Sequence, residues 1–167
     1  VGRAIGAIEG LPVLDLGRRV ADELGTSPDL ALVAVPEADY RRVEARVACQ
    51  VLDHAVAQGA VVALGSGCLG DPRIGLRLEE LRLVHDRSYQ IVALACATRV
   101  LATRNGLDAP RSVALGTVYH QFVQMLHERQ ARCRELADTI IDTSATTPEE
   151  AGEQVIRAVE AGFSHHS

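Results

Sequence analysis

Residues 60–67, Ala-Val-Val-Ala-Leu-Gly-Ser-Gly, constrain the fold more than any other stretch of this chain. An apolar run with β-branched residues that passes directly into two glycines flanking a serine reads as a buried parallel strand ending in a tight turn. Ligands of open α/β sheets sit just beyond such strand ends. A Gly-Ser-Gly turn also puts little side-chain bulk between a polar ligand and the backbone N–H groups. Taken alone, the octet reads equally as a loop that needs positive φ. Its flanks decide between the two.

Upstream, residues 36–58 have the clearest helical pattern in the chain. Pro36 suits a first turn, Glu37 and Asp39 suit the positive end of the helix, and Tyr40, Val43, Val47, Val51 and Ala55 make one apolar stripe. Arg41, Arg42 and Arg46 lie beside that stripe, and Gly59 ends the helix where the strand begins. Before it, residues 1–9 read as a helix closed by Gly10, without a capping side chain in front. Residues 11–16 read as a short strand with Asp15 near its end, 18–24 as a helix stopped at Gly25, and 26–35 as less regular. Strand, helix and strand in this order form a βαβ crossover.

Downstream, the pattern predicts helices at 73–84 and 98–104, a strand at 90–97 and a loop at 105–116. A long helix over 116–136 and a strand over 139–142 follow. Thr147 and Glu150 then form a capping box with Pro148 at the first helical position, opening a helix that Gly162 closes. Four parallel strands joined by helices predict a three-layer α/β domain over 1–163 with a lid-like loop at 105–116 and a flexible tail at 164–167.

Composition narrows the function classes. The formal charge of −5 disfavours nucleic acid as a partner but leaves room for a local basic pocket. Cys49, Cys68, Cys96 and Cys133 are scattered without a CxxC pair, which favours buried thiols over a metal site or disulfide framework. His54, His85, His120 and His127 do not make a zinc set. No run approaches the roughly 20 apolar residues of a membrane span and no leader pattern is visible, so the expectation is a cytoplasmic protein without a membrane partner.

Several motifs, in shared order and spacing, resemble those of the shikimate kinases. They are Leu14-Asp15-Leu16-Gly17, Tyr40-Arg41-Arg42-Val43-Glu44, Gly65-Ser66-Gly67, the arginines Arg104 and Arg111, and Arg129 leading on to Ala137-Asp138-Thr139-Ile140-Ile141-Asp142. The resemblance implies a P-loop kinase fold of the nucleoside-monophosphate-kinase type, and transfer of the γ-phosphate of ATP to shikimate with magnesium. It implies that Arg41, Gly65, Ser66, Gly67 and Arg129 bind substrate, with the two arginines on its carboxylate. It places Arg104 and Arg111 against the nucleotide, makes Arg111 the candidate catalytic group, and makes Asp15 the candidate magnesium residue.

Departures from the family pattern accompany these matches. The family's first strand and its G-x-x-x-x-G-K-[ST] loop would precede Val1, no such run occurs in the chain, and all 17 basic residues are arginines. Gly17 stands where the family has a substrate-binding aspartate, Ser66 replaces a glycine, and Ser112 replaces a proline. The resulting expectation is a degenerate or N-terminally incomplete member, lacking the first strand and P-loop. It would lack phosphotransfer but keep a small carboxylate or hydroxy-acid pocket, with a second copy or partner chain completing the sheet. Two alternatives stay open: an ATP- and magnesium-dependent kinase of shikimate or a related hydroxy compound whose P-loop segment is outside this sequence, and a structural or interaction domain without a ligand.

Overall fold

The computed structural model describes residues 1–84, 89–104 and 113–164. It divides into two compact units, 1–89 and 90–167.

The first unit opens with α1 (Gly2–Glu9), which has no side-chain cap and closes at Gly10 with φ 66°. Strand β1 (Val13–Asp15) follows, then α2 (Leu16–Glu23) and the one-turn α3 (Ala31–Ala34). Helix α4 (Glu37–Gln58) ends at Gly59, whose φ of 70° turns the chain straight into β2 (Val61–Ala63). A short 3₁₀ turn (Cys68–Gly70) leads to α5 (Pro72–Val84). Strands β1 and β2 run parallel, with Val13 opposite Val61 and Asp15 opposite Ala63.

The α/β class with parallel strands agrees with the sequence pattern, but the expectation that the first strand is absent is corrected. β1 is in place at the start of the sheet and is paired with β2. The β1–β2 pair is covered on both faces. A Cβ at Gly2 would lie 3.6 Å from Ala63, and one at Gly6 would collide with Val13 and sit 2.8 Å from the carbonyl oxygen of Leu11, so α1 packs closely on the face carrying Val13 and Ala63. Leu14, pointing to the other face as strand alternation requires, shares its surroundings with Val47 and Val51 of α4. The core lies there: Leu16 and Val20 of α2, Ala48 of α4 and Ile74 of α5 have essentially no exposed surface. Ion pairs tie the helices at the rim, Arg46 to Glu23 at 2.8 Å and Arg77 to Asp53 at 2.6 Å.

The second unit contains β3 (Val92–Ala95), α6 (Thr98–Arg104), α7 (Val113–Leu136), β4 (Thr139–Asp142) and α8 (Pro148–Ser164). β3 and β4 are parallel, with Val92 opposite Thr139. The capping box forms as the sequence pattern predicts: the Glu150 amide donates to Thr147 Oγ1 at 3.2 Å, and the Thr147 amide donates to a Glu150 carboxylate oxygen at 2.8 Å. α7 starts three residues before the predicted start, and α8 runs through Gly162, whose missing side chain leaves room for that of Gln90. Residues 105–112 and 165–167, where most of the lid-like loop and tail expectations fall, lie outside the described residues.

Candidate functional site

The parallel register brings two turns to one edge. Because Asp15 lies opposite Ala63, the turn into α2 after β1 and the Gly65-Ser66-Gly67 turn after β2 both open at the carboxyl ends of the strands. Ligands of α/β sheets gather at this edge. α4 starts at the same edge, since its far end at Gly59 meets the beginning of β2 and its 22 residues run back about 33 Å. α4 also packs against the 3₁₀ turn that follows the glycine turn, with Tyr40 close enough to Cys68 to feel its charge.

Glu44 is 6% exposed and is the one buried charged side chain among the described residues. Arg41 Nη1 donates to it at 2.8 Å, and a second guanidinium nitrogen lies 3.5 Å from Glu37. The guanidinium also stacks over the Tyr40 ring, 5.4 Å from its centroid. Burial works against the charge of Arg41, yet the hydrogen bond and the negative charge of Glu44 outweigh it and hold the guanidinium above its ordinary pKa. Tyr40 is pushed up first by burial and then by the negative charge of the Glu44 carboxylate. Tyr40 also feels Cys68, a buried thiol whose amide donates to the Gly65 carbonyl at 3.1 Å. Tyr40, Arg41 and Glu44 thus form one fixed cluster beside the turn. About a third of the Arg41 side chain is exposed, and a guanidinium carries five donors, more than its contacts to Glu44 and Glu37 use.

Asp15 caps α2, its Oδ1 accepting from the Arg18 amide at 3.2 Å. Gly17 follows in the first turn, and a Cβ there would meet only Asp15 Oδ1, at 3.5 Å. Gly65 and Ser66 are exposed, and a Cβ at Gly65 would meet nothing within 4 Å.

Arg104 and Arg129 belong to the second unit. Arg104 donates to the Thr143 carbonyl at 3.3 Å and reaches the sulfur of Cys96 at 3.6 Å. Arg129 is half-buried near Cys133, whose thiol is raised by burial and lowered in part by that arginine. Arg111 lies outside the described residues. The first unit thus sets Asp15 and Gly65–Gly67 at one strand edge, and holds Arg41 near the start of α4 against Glu44. The sequence reading treated Tyr40 as core and missed its place against Arg41; Glu44 stands four residues after Tyr40 and three after Arg41, the spacing that sets each of them beside it on the helix.

A separate groove of about 410 Å³ runs between α2 and α4, lined by Leu14, Arg19, Asp22, Val47 and His54 among others. It is distinct from the strand-end cluster: neither Arg41 nor the glycine turn lines it. Among the described residues, no three His, Cys, Asp or Glu side chains converge as metal ligands. Asp15 spends one oxygen on its helix cap, and the sequence holds neither lysine nor a G-x-x-x-x-G-K-[ST] run. These residues by themselves do not fit a magnesium–nucleotide group. No described helix is long and apolar enough to cross a membrane.

Residues 1–160 match the family pattern described as shikimate kinase. The chain belongs to the shikimate kinase family. Members of that family are phosphotransferases of aromatic amino acid biosynthesis, with a P-loop kinase fold. The chain is 29% identical to a shikimate kinase of Thermobifida fusca (strain YX) over 161 residues, 96% of this chain and 87% of the relative. Its fold is similar to that of shikimate kinase from Acinetobacter baumannii in complex with shikimate, with a TM-score of 0.71 at 15% identity over 96% of this chain and 85% of that one. The enzyme of Bacteroides thetaiotaomicron gives a TM-score of 0.69 at 17% identity, over 95% and 89%. These matches correct two expectations. The family pattern matches residues 1–160, nearly the whole of this chain, which corrects the reading as a degenerate member. The P-loop kinase fold is matched over nearly the whole chain, which corrects the reading of that fold as lacking its first strand, while no G-x-x-x-x-G-K-[ST] run occurs in these 167 residues.

Proposed function

We propose that this family member binds a small hydroxy-acid at the carboxyl edge of β1 and β2, with Arg41 as the partner of the acid's carboxylate. The observation that carries the reading is the Arg41–Glu44 pair. A buried carboxylate fixes the guanidinium beside the exposed Gly65-Ser66-Gly67 turn and leaves part of it open. The turn supplies backbone donors and the hydroxyl of Ser66, while Tyr40 limits the ring's approach on one side. By family membership alone, Arg129 is a further candidate for a carboxylate, and Arg104 and Arg111 are candidates for a nucleotide. Family membership suggests ATP and magnesium as co-reactants. The Acinetobacter relative's complex with shikimate supports the class of ligand.

Protein-observed NMR with shikimate tests the proposal. Shifts should appear at Tyr40–Glu44 and Gly65–Cys68. The Arg41→Ala variant should weaken binding about 10- to 100-fold, the size of a lost charge-assisted hydrogen-bonded pair, and Arg41→Lys should weaken it less. Absence of shifts in both regions at millimolar acid would remove the site.

A further inference from the structure

The groove between α2 and α4 is chemically divided. Leu14 of β1 with Val47 and Val51 of α4, all buried, supply its apolar lining. Its polar lining is exposed: Arg19, Asp22 and Glu23 come from α2, Gln50 and His54 from α4. The Glu23 carboxylate is already committed to Arg46, at 2.8 Å. Arg19 and Asp22 are not. They stand three residues apart on α2, the spacing at which opposite charges meet on a helix surface. Even so, among the described residues neither side chain has an ion-pair or hydrogen-bond partner, and the same holds for the side chains of Gln50 and His54. The groove therefore sets one open cation and one open anion side by side next to apolar surface.

We infer that this groove is a second binding site, and that it takes a small zwitterion with an apolar group, the chemistry of an apolar α-amino acid. Side chains three apart on a helix have Cβ atoms about 5–6 Å from each other. An α-amino acid carries its carboxylate and ammonium on a single carbon, so one head group reaches both Arg19 and Asp22. The guanidinium fork suits the carboxylate, and the Asp22 carboxylate suits the ammonium. A simple anion would be repelled by Asp22 and a simple amine by Arg19, whereas a ligand with both charges matches the pair. Its apolar group then covers Leu14, Val47 and Val51, while Gln50 and His54 border it from α4. The volume of about 410 Å³ falls in the range of small-molecule clefts. Exposed charge pairs each contribute little, so the Kd should be on the order of 1 mM. The site shares no lining residue with the carboxylate site proposed at Arg41 and stands independently of it.

Protein-observed NMR on the whole chain, with leucine and phenylalanine as probes, tests the inference. Either amino acid at tens of millimolar should shift Arg19–Glu23 and Val47–His54. Isocaproate lacks the ammonium of leucine, isoamylamine lacks its carboxylate and glycine lacks its apolar group, so each should bind at least about fivefold more weakly than leucine. Arg19→Gln and Asp22→Asn are exposed changes that leave the fold intact, and each should weaken leucine about five- to tenfold. The inference is overturned if neither amino acid shifts both segments, if the three truncated analogues bind as tightly as leucine, or if both variants bind leucine like wild-type protein.

Discussion

A carboxylate buried as deeply as that of Glu44 carries a desolvation cost that its hydrogen bond from Arg41 offsets. Removing one partner from such a set costs more than the pair contributes, because the other charge is left without compensation. Glu44→Ala should therefore lower stability by about 2–4 kcal/mol in urea titrations, through the lost packing and the half-buried guanidinium of Arg41 left without its closest partner. Glu44→Gln keeps the shape and a hydrogen-bond acceptor, so its stability loss should stay below about 2 kcal/mol. It should still weaken hydroxy-acid binding about tenfold, because Arg41 retains only the longer contact to Glu37 at 3.5 Å. A Glu44→Ala protein as stable as wild type would show that the cluster does not hold this corner of the molecule.

Single elements show where local chemistry decides and where it does not. Asp71 precedes α5, and its hydrogen bonds from the Arg73 side chain hold its carboxyl below the ordinary value of 3.8. The sign follows directly: the folded state binds this proton less readily than the unfolded chain. The stabilisation is complete above the ordinary value and is lost as pH falls through the lowered one. Asp71→Asn should flatten that part of an acid-unfolding curve and leave stability changes above pH 5 independent of pH. Thr147→Ala should cost about 1 kcal/mol through the lost cap of α8. That cap, the start of α4 behind Pro36 and the bounds of α6 and β4 were all legible in the sequence, because each depends on residues three or four apart. Burial of the strands was not. The 60–67 run reads as buried, yet every residue of β2 is half-exposed and Leu94 of β3 is 48% exposed. Covering a three- or four-residue strand depends on partners distant in sequence. The site divides in the same way: the Tyr40–Arg41–Glu44 cluster follows from helix spacing, whereas the contact of Arg104 to Thr143 spans 39 residues and leaves no local trace.

Burial is distributed unevenly through the molecule, and local stability should follow it. Among the described residues, the largest fully buried side chains, Leu16, Ile74, Val20 and Cys68, all belong to the first unit. In the second, the described buried core consists of Ala102, Leu136, Ala151 and Val155, mostly small side chains. Apolar burial contributes roughly 25 cal/mol per Å², so large side chains with no exposed surface dominate the sum. Segments with few buried apolar contacts open at lower free energy than the global transition. Native-state hydrogen exchange should accordingly find the slowest amides in the middle of α4, around Val47–Leu52, and in α2 at Val20 and Ala21. Those of α8 and β4 should exchange at least tenfold faster despite the well-formed capping box, because a cap stabilises the end of a helix while its packed face decides how often the whole element opens. Binding of a hydroxy-acid at Arg41 should slow exchange further in α4 and at Gly65–Cys68, by a factor that grows with ligand concentration as mass action requires. If α8 and β4 outlast α4 in the ligand-free protein, packing in the first unit is not what sets the stability of this chain.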